Sequence, residues 1–318
     1  MIKSVNLIDK SLFAYRLLGW FLINMLIAFL LNNFLNLAFK IPFAFDFVTK
    51  NQSLSFIPLL IYLIAFCLSI IISYKNLKKP YSWDSILLHE FNLFFIRSCF
   101  WSVLLVGSID VVIAFMRVEE VNEILFNDDL VRALKKPSFV CTYIHIPLIL
   151  IGFIVGYFTK TLGFTWLALM IVCAELIIVI TRFVFSYEQS FMGDLVRYWY
   201  AALFLFASAY TLFEDGHVRV DVFYTNLKAK TKSIVNAYGS IFLGISTCAA
   251  ILFVGLNGKQ SIINSPILNF EITQQGSVGM FVKYQLAAFL GVFAISMLIQ
   301  FVSYYFLSLS KMNELKKS

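Results

Sequence analysis

The chain has 318 residues, of which 60% are hydrophobic and 14% charged, with 35 phenylalanines and a net charge of +7. An average soluble domain is roughly 25% charged, so this composition cannot clothe a soluble protein of such length. Apolar runs of about 20 residues recur, each long enough to cross roughly 30 Å of hydrocarbon. They predict an all-α integral membrane protein, whose positive charge concerns orientation and anionic membrane lipid rather than nucleic acid.

Residues 1–12 are polar, with Lys3, Asp9 and Lys10. The first apolar run, Phe13–Phe39, is too long for the core of a signal peptide and lacks a small-x-small cleavage site, so it is read as a span. Asn32, Asn33 and Asn36 fall on one side of it at 100° per residue. Their simplest use is hydrogen bonding to a neighbouring helix, with substrate contact as the alternative. Leu54–Tyr74 is the second span, followed by Lys75, Lys78 and Lys79. His89 falls in the loop before a third span, Phe91–Met116, which holds Arg97 and Asp110 near opposite ends, where snorkelling accounts for both. A long polar segment, Arg117–Val140, leads to a fourth span at Thr142–Phe158.

The second half holds four more spans, at Phe164–Phe185, Tyr198–Leu212, Ile234–Leu256 and Val278–Leu307, with no internal repeat. That makes about eight transmembrane helices. The stretch near 187–197 alternates aromatic and polar residues and predicts an interfacial amphipathic helix. We divide the chain into an N-terminal four-helix membrane region of unknown role, residues 1–160, and a second four-helix domain, residues 161–318. With the N-terminus inside, the inner segments hold more Lys and Arg than the outer ones, so both termini are expected to be cytoplasmic.

No catalytic motif emerges. The histidines are His89, His145 and His217, too few and too scattered to suggest a haem pair. His89-Glu90 lacks the second histidine of HExxH, and neither GxSxG nor a glycine-rich phosphate loop occurs. Cys67, Cys99, Cys141, Cys173 and Cys248 stand singly and read as packing residues. No catalytic, cofactor-binding or metal-binding residue is assigned. Glu175 is the sharpest single residue, standing near the middle of the fifth span. A charged side chain costs about 2.5 kcal/mol or more at such depth. Arg182 is seven residues on, roughly 10 Å along the axis and out of direct reach. Glu175 is therefore either a proton or cation site, or a structural hydrogen-bonding group facing another helix or subunit.

Several phrases in the second half carry a resemblance. One span ends in Arg182-Phe183-Val184-Phe185, and Asp194, Arg197 and Tyr198 follow in the interfacial stretch. After an aromatic-rich span comes Gly216-His217-Val218-Arg219-Val220-Asp221. A loop with Glu271 leads into the last span, which has Lys283 at its start and Gln300 deep inside. From about residue 163 to 318 this order resembles the small membrane subunit of TRAP transporters, the tripartite ATP-independent periplasmic family.

The resemblance implies a non-catalytic scaffold subunit in the bacterial inner membrane. In that family a large permease subunit carries substrate and sodium by an elevator motion, and a periplasmic binding protein delivers the substrate, mostly an organic acid. The small subunit stands fixed beside the permease. His217, Arg219 and Asp221 would then clamp the turn between the sixth and seventh spans at the cytoplasmic face. Two other classes remain: an autonomous membrane carrier, and an integral membrane enzyme or electron-transfer subunit. Transport by the chain alone would mark the first, and a bound chromophore the second.

Overall fold

The computed structural model describes residues 2–44, 56–214, 224–273 and 275–317. The described residues form eleven α-helical segments. They are α1 (Ile2–Phe39), α2 (Phe56–Lys75), α3 (Tyr81–Val118), the short α4 (Val121–Leu125) and α5 (Asp128–Leu134), α6 (Pro137–Phe158), α7 (Phe164–Val184), α8 (Ser190–Phe213), α9 (Ala229–Gly255), the short α10 (Asn264–Leu268) and α11 (Lys283–Lys317). No strand occurs among the described residues. Among the described residues, seven helices are long and apolar enough to cross a membrane: α1 from Leu12, α2, α3, α6, α7, α9, and α11 as far as Leu315. The chain is an all-helical, multi-pass membrane protein.

Three elements depart from the sequence reading. The stretch expected to lie along the interface and the span expected after it form one helix, α8, of 24 residues. Its first turns are packed inward: Phe191, Met192, Asp194, Leu195 and Val196 are all buried. α3 begins at Tyr81 rather than near residue 91, with Asp84 in its first turn, so His89 is a buried helical residue and not a loop residue. The polar stretch after α3 is folded into α4 and α5. Just beyond it, α6 widens into a π turn over Cys141–His145. Pro147 follows that turn and has no N–H for the α-helical ladder, a common setting for such a local widening.

The described chain divides into two compact units that do not follow chain order. One comprises Met1–Glu90, His217–Gln260 and Met297–Ser318; the other comprises Phe91–Gly216 and Ser261–Ser296.

In the first unit, α1 lies against α2. Asn24 donates to the Ser69 hydroxyl at 2.9 Å, and Asn32 donates to the Pro58 carbonyl at 3.4 Å. Asn36 instead closes the turn after its own helix, donating to the Ile41 carbonyl at 2.8 Å. Arg16 is almost fully buried and forms the polar centre of this unit. Its Nε meets Asp84 at 2.8 Å, while its other nitrogens donate to the carbonyls of Asn76 and Lys79, both at 2.6 Å. Trp20 donates to the second Asp84 oxygen at 3.0 Å. The guanidinium also lies 4.9 Å from the centre of the Tyr81 ring. A charge this deep persists because every part of it has a partner.

In the second unit, α3 and α6 approach through small residues four apart on each helix. A Cβ at Gly152 or Gly156 would collide with the Cα of Ser102 or Ser98. This is the small-xxx-small packing that lets helices touch where lipid gives no hydrophobic drive to associate. Arg97 donates to the Gly156 carbonyl at 2.7 Å along the same seam, so it is tied to protein rather than simply reaching for water. An aromatic core sits beside it. Phe206 packs edge-on against Phe100 and Phe289, with ring centres 5.6 and 4.9 Å apart.

Candidate functional site

The densest polar site lies in the second unit, where four helices contribute to one loop anchor. Asp110 and His145 are both wholly buried, and His145 Nε2 lies 3.1 Å from Asp110 Oδ1. The other Asp110 oxygen accepts the Phe281 amide at 2.9 Å. The π turn in α6 places His145 at this point, in keeping with the enrichment of such turns at special sites.

The network continues through Tyr198, Gln285 and Tyr284. Tyr198 donates its hydroxyl to Gln285 Oε1. Gln285 Nε2 donates to the Tyr284 hydroxyl at 2.8 Å, and that hydroxyl is 3.0 Å from His145 Nδ1. With Tyr284 as the donor to Nδ1, it is Nε2–H that faces Asp110. Each member has a partner of the right kind, the condition under which a buried polar network rigidifies its surroundings.

Two further anchors hold the segment that enters α11. Asp194, in the first turns of α8, accepts the Thr273 hydroxyl at 2.8 Å and the Met280 amide at 3.1 Å with one oxygen. Arg117, at the end of α3, donates to the carbonyls of Ser277 and Gly279 at 2.7 and 2.5 Å, and covers the Phe281 ring at 4.0 Å. Glu271 and Lys283 pair at 2.8 Å across the two ends of the same segment. Phe281 is buried in a cluster with Ile113, Leu134 and Val140. The loop is thus gripped by an acid from α3, an acid from α8, an arginine from α3 and an apolar socket.

The residues singled out from the sequence fall into four groups. Asp194, Glu271 and Lys283 meet at this loop. Gln300 lies in the other unit, 3.2 Å from His89 Nδ1. Glu175, Arg182 and Arg197 are exposed, Arg182 reaching Glu188 at 3.9 Å. His217, Arg219 and Asp221 lie outside the described residues. Sequence reasoning missed Asp110, Arg117 and His145 as anchors. The one signal available was a carboxylate and a histidine next to apolar runs, and it could not pair residues 35 positions apart. Among the described residues no group of three or more His, Cys, Asp or Glu side chains is placed to hold a metal ion.

Residues 168–307 match the family model described as Tripartite ATP-independent periplasmic transporters, DctQ component. No curated protein and no solved structure gives a match to the chain. The matched segment runs from α7 into α11 and includes Asp194, Tyr198, Glu271, Phe281, Tyr284 and Gln285. Asp110, Arg117 and His145, which grip the loop from α3 and α6, precede it.

Proposed function

We propose that the chain is the small membrane subunit of a TRAP transporter, a fixed scaffold in the bacterial inner membrane with both termini in the cytoplasm. It braces a large elevator-type permease, and that permease takes up an organic acid together with sodium after a periplasmic binding protein delivers it. Residues 161–318 supply the small-permease part, and residues 1–160 add a membrane region to it. The observation that carries this reading is the family match over residues 168–307.

The loop anchor agrees with a scaffold role. A carrier needs polar groups at mid-depth that release and rebind solute, usually beside interrupted helices. Here the buried side chains of Asp110, His145, Asp194 and Arg117 are engaged with one another or with backbone, holding a loop in place. In this reading the loop, the start of α8 and the end of α3 share the outer side of the membrane, where the binding protein arrives.

The test is uptake in liposomes under an inward sodium gradient, with labelled carboxylates as the solute panel. Uptake is expected only when this chain, the large permease and the binding protein are all present. Uptake or turnover by the purified chain alone would overturn the reading.

A further inference from the structure

α7 presents an exposed stripe that carries two charged residues. Its buried positions, Leu167, Ile171 and Ala174, form a single narrow line, and the helix packs on α8, with Phe164 against Tyr210 at 6.2 Å between ring centres. Next to that line, Val172, Glu175, Val179 and Arg182 are exposed and Ala168 is half-buried. Counting from Ala168, these five residues are spaced four, three, four and three apart. That spacing is the seam a helix offers to a second helix running alongside it. Small and β-branched residues at Ala168, Val172 and Val179 permit close approach.

Two polar groups interrupt the seam at different depths. Glu175 is at mid-span and has no hydrogen-bond or ion-pair partner among the described residues. Arg182 lies roughly 10 Å further along the axis, within about 20° of the same line, and its only ion-pair contact among the described residues is the exposed Glu188 at 3.9 Å. Lipid offers a carboxylate nothing at that depth, so intramembrane acids face protein or water-filled cavities. A second copy related by a two-fold axis along the membrane normal would set Glu175 against Glu175 and Arg182 against Arg182, like groups facing each other at both levels.

We infer that this seam is the docking line for one transmembrane helix of the large permease. That helix carries a hydrogen-bond donor or cation opposite Glu175, and an acceptor near the level of Arg182. The inference rests on the scaffold reading above and names the surface through which the scaffold acts. It makes Glu175 a recognition group between subunits.

The experiment co-expresses the tagged chain with the large permease and measures the permease recovered per tagged chain. Variants are Glu175→Gln, Glu175→Leu and Val179→Trp, and a benzophenone amino acid is placed at Val172. Because these side chains are exposed, each variant alone should elute and melt as the wild type does. Glu175→Gln is expected to keep recovery within about two-fold, while Glu175→Leu and Val179→Trp lower it about ten-fold or more, a difference of one decade in affinity. Light should attach Val172 to the permease. Wild-type recovery by both disruptive variants, or attachment at Val172 to lipid or to a second copy, would overturn the docking line while leaving the scaffold reading intact. A well-folded wild-type chain that recovers no permease would instead remove the scaffold reading, and the docking line with it.

Discussion

Asp110 and His145 form a wholly buried pair, 3.1 Å apart, whose carboxylate also accepts the backbone amide of Phe281 at 2.9 Å. One acid thus ties the third and sixth helices to the loop that opens the last one. Replacing it tests the anchor directly. Asp110→Asn keeps the shape but brings an NH2 group to face either the His145 Nε2–H or the Phe281 N–H, two donors where one acceptor stood. A buried polar group without a partner costs about 1–3 kcal/mol. Asp110→Leu leaves both donors unmet and should cost more. The expected order of thermal stability in detergent is wild type, then Asn, then Leu. Trypsin should cut faster at Lys283 in the same order, and an unchanged cutting rate in the Leu variant would mean the loop is held without Asp110.

Close approach of α3 and α6 depends on the absence of side chains at Gly152 and Gly156, each of which faces a serine backbone. Gly156→Val should force the helices apart and displace the Arg97 hydrogen bond to the Gly156 carbonyl. Overpacking of this kind costs about 1–3 kcal/mol. The measurement is the yield and melting temperature of folded protein. Gly239→Val, whose added Cβ would meet nothing within 4 Å, serves as the control and should be far milder.

Much of the fold was legible because a membrane span announces itself through length and apolarity alone. α2, α6, α7 and α9 fall close to their expected bounds for that reason. α8 was misread because Asp194 and Arg197 make its first turns look like a surface helix. The Asp194 carboxylate instead accepts from Thr273 and Met280, residues some eighty positions later, and no local pattern encodes that. The early start of α3 did leave a mark, since Pro80 immediately before it and Asp84 in its first turn are ordinary helix-start signals. Asp110 reads as an interface residue because snorkelling explains a lone polar group near the end of a span, and His145 alone suggests no role. Only the folded chain brings them to one another. The Glu271 and Lys283 positions, by contrast, were noted individually from the family-like order of features, although nothing in that order pairs them.

The Glu271–Lys283 pair should matter little for stability in spite of its 2.8 Å distance. The two side chains are 33% and 46% exposed, and such pairs contribute about 0.2–1 kcal/mol, reduced further by salt. Lys283→Ala is therefore expected to lower the melting temperature slightly at low salt and by less at 0.5 M salt. A large, salt-independent loss would mean that Lys283 carries something beyond this pair, such as a contact to another subunit.

Arg16 and Asp84 should behave in the opposite way. Both side chains are nearly inaccessible, at 2% and 0%, and Arg16 also satisfies the Asn76 and Lys79 carbonyls that end the turn before α3. Removing one member of a buried pair typically costs about 3–5 kcal/mol, because the other is left charged without a counterpart. Arg16→Met should approach that range in a denaturant titration in mixed micelles. Asp84→Leu should fall lower within it, since Arg16 would keep its two carbonyl acceptors while Trp20 lost its own. The double variant should cost clearly less than the two single losses added together, because neither charge then remains alone. Strict additivity would show that the two residues stabilise the first unit independently, the ion pair itself contributing nothing.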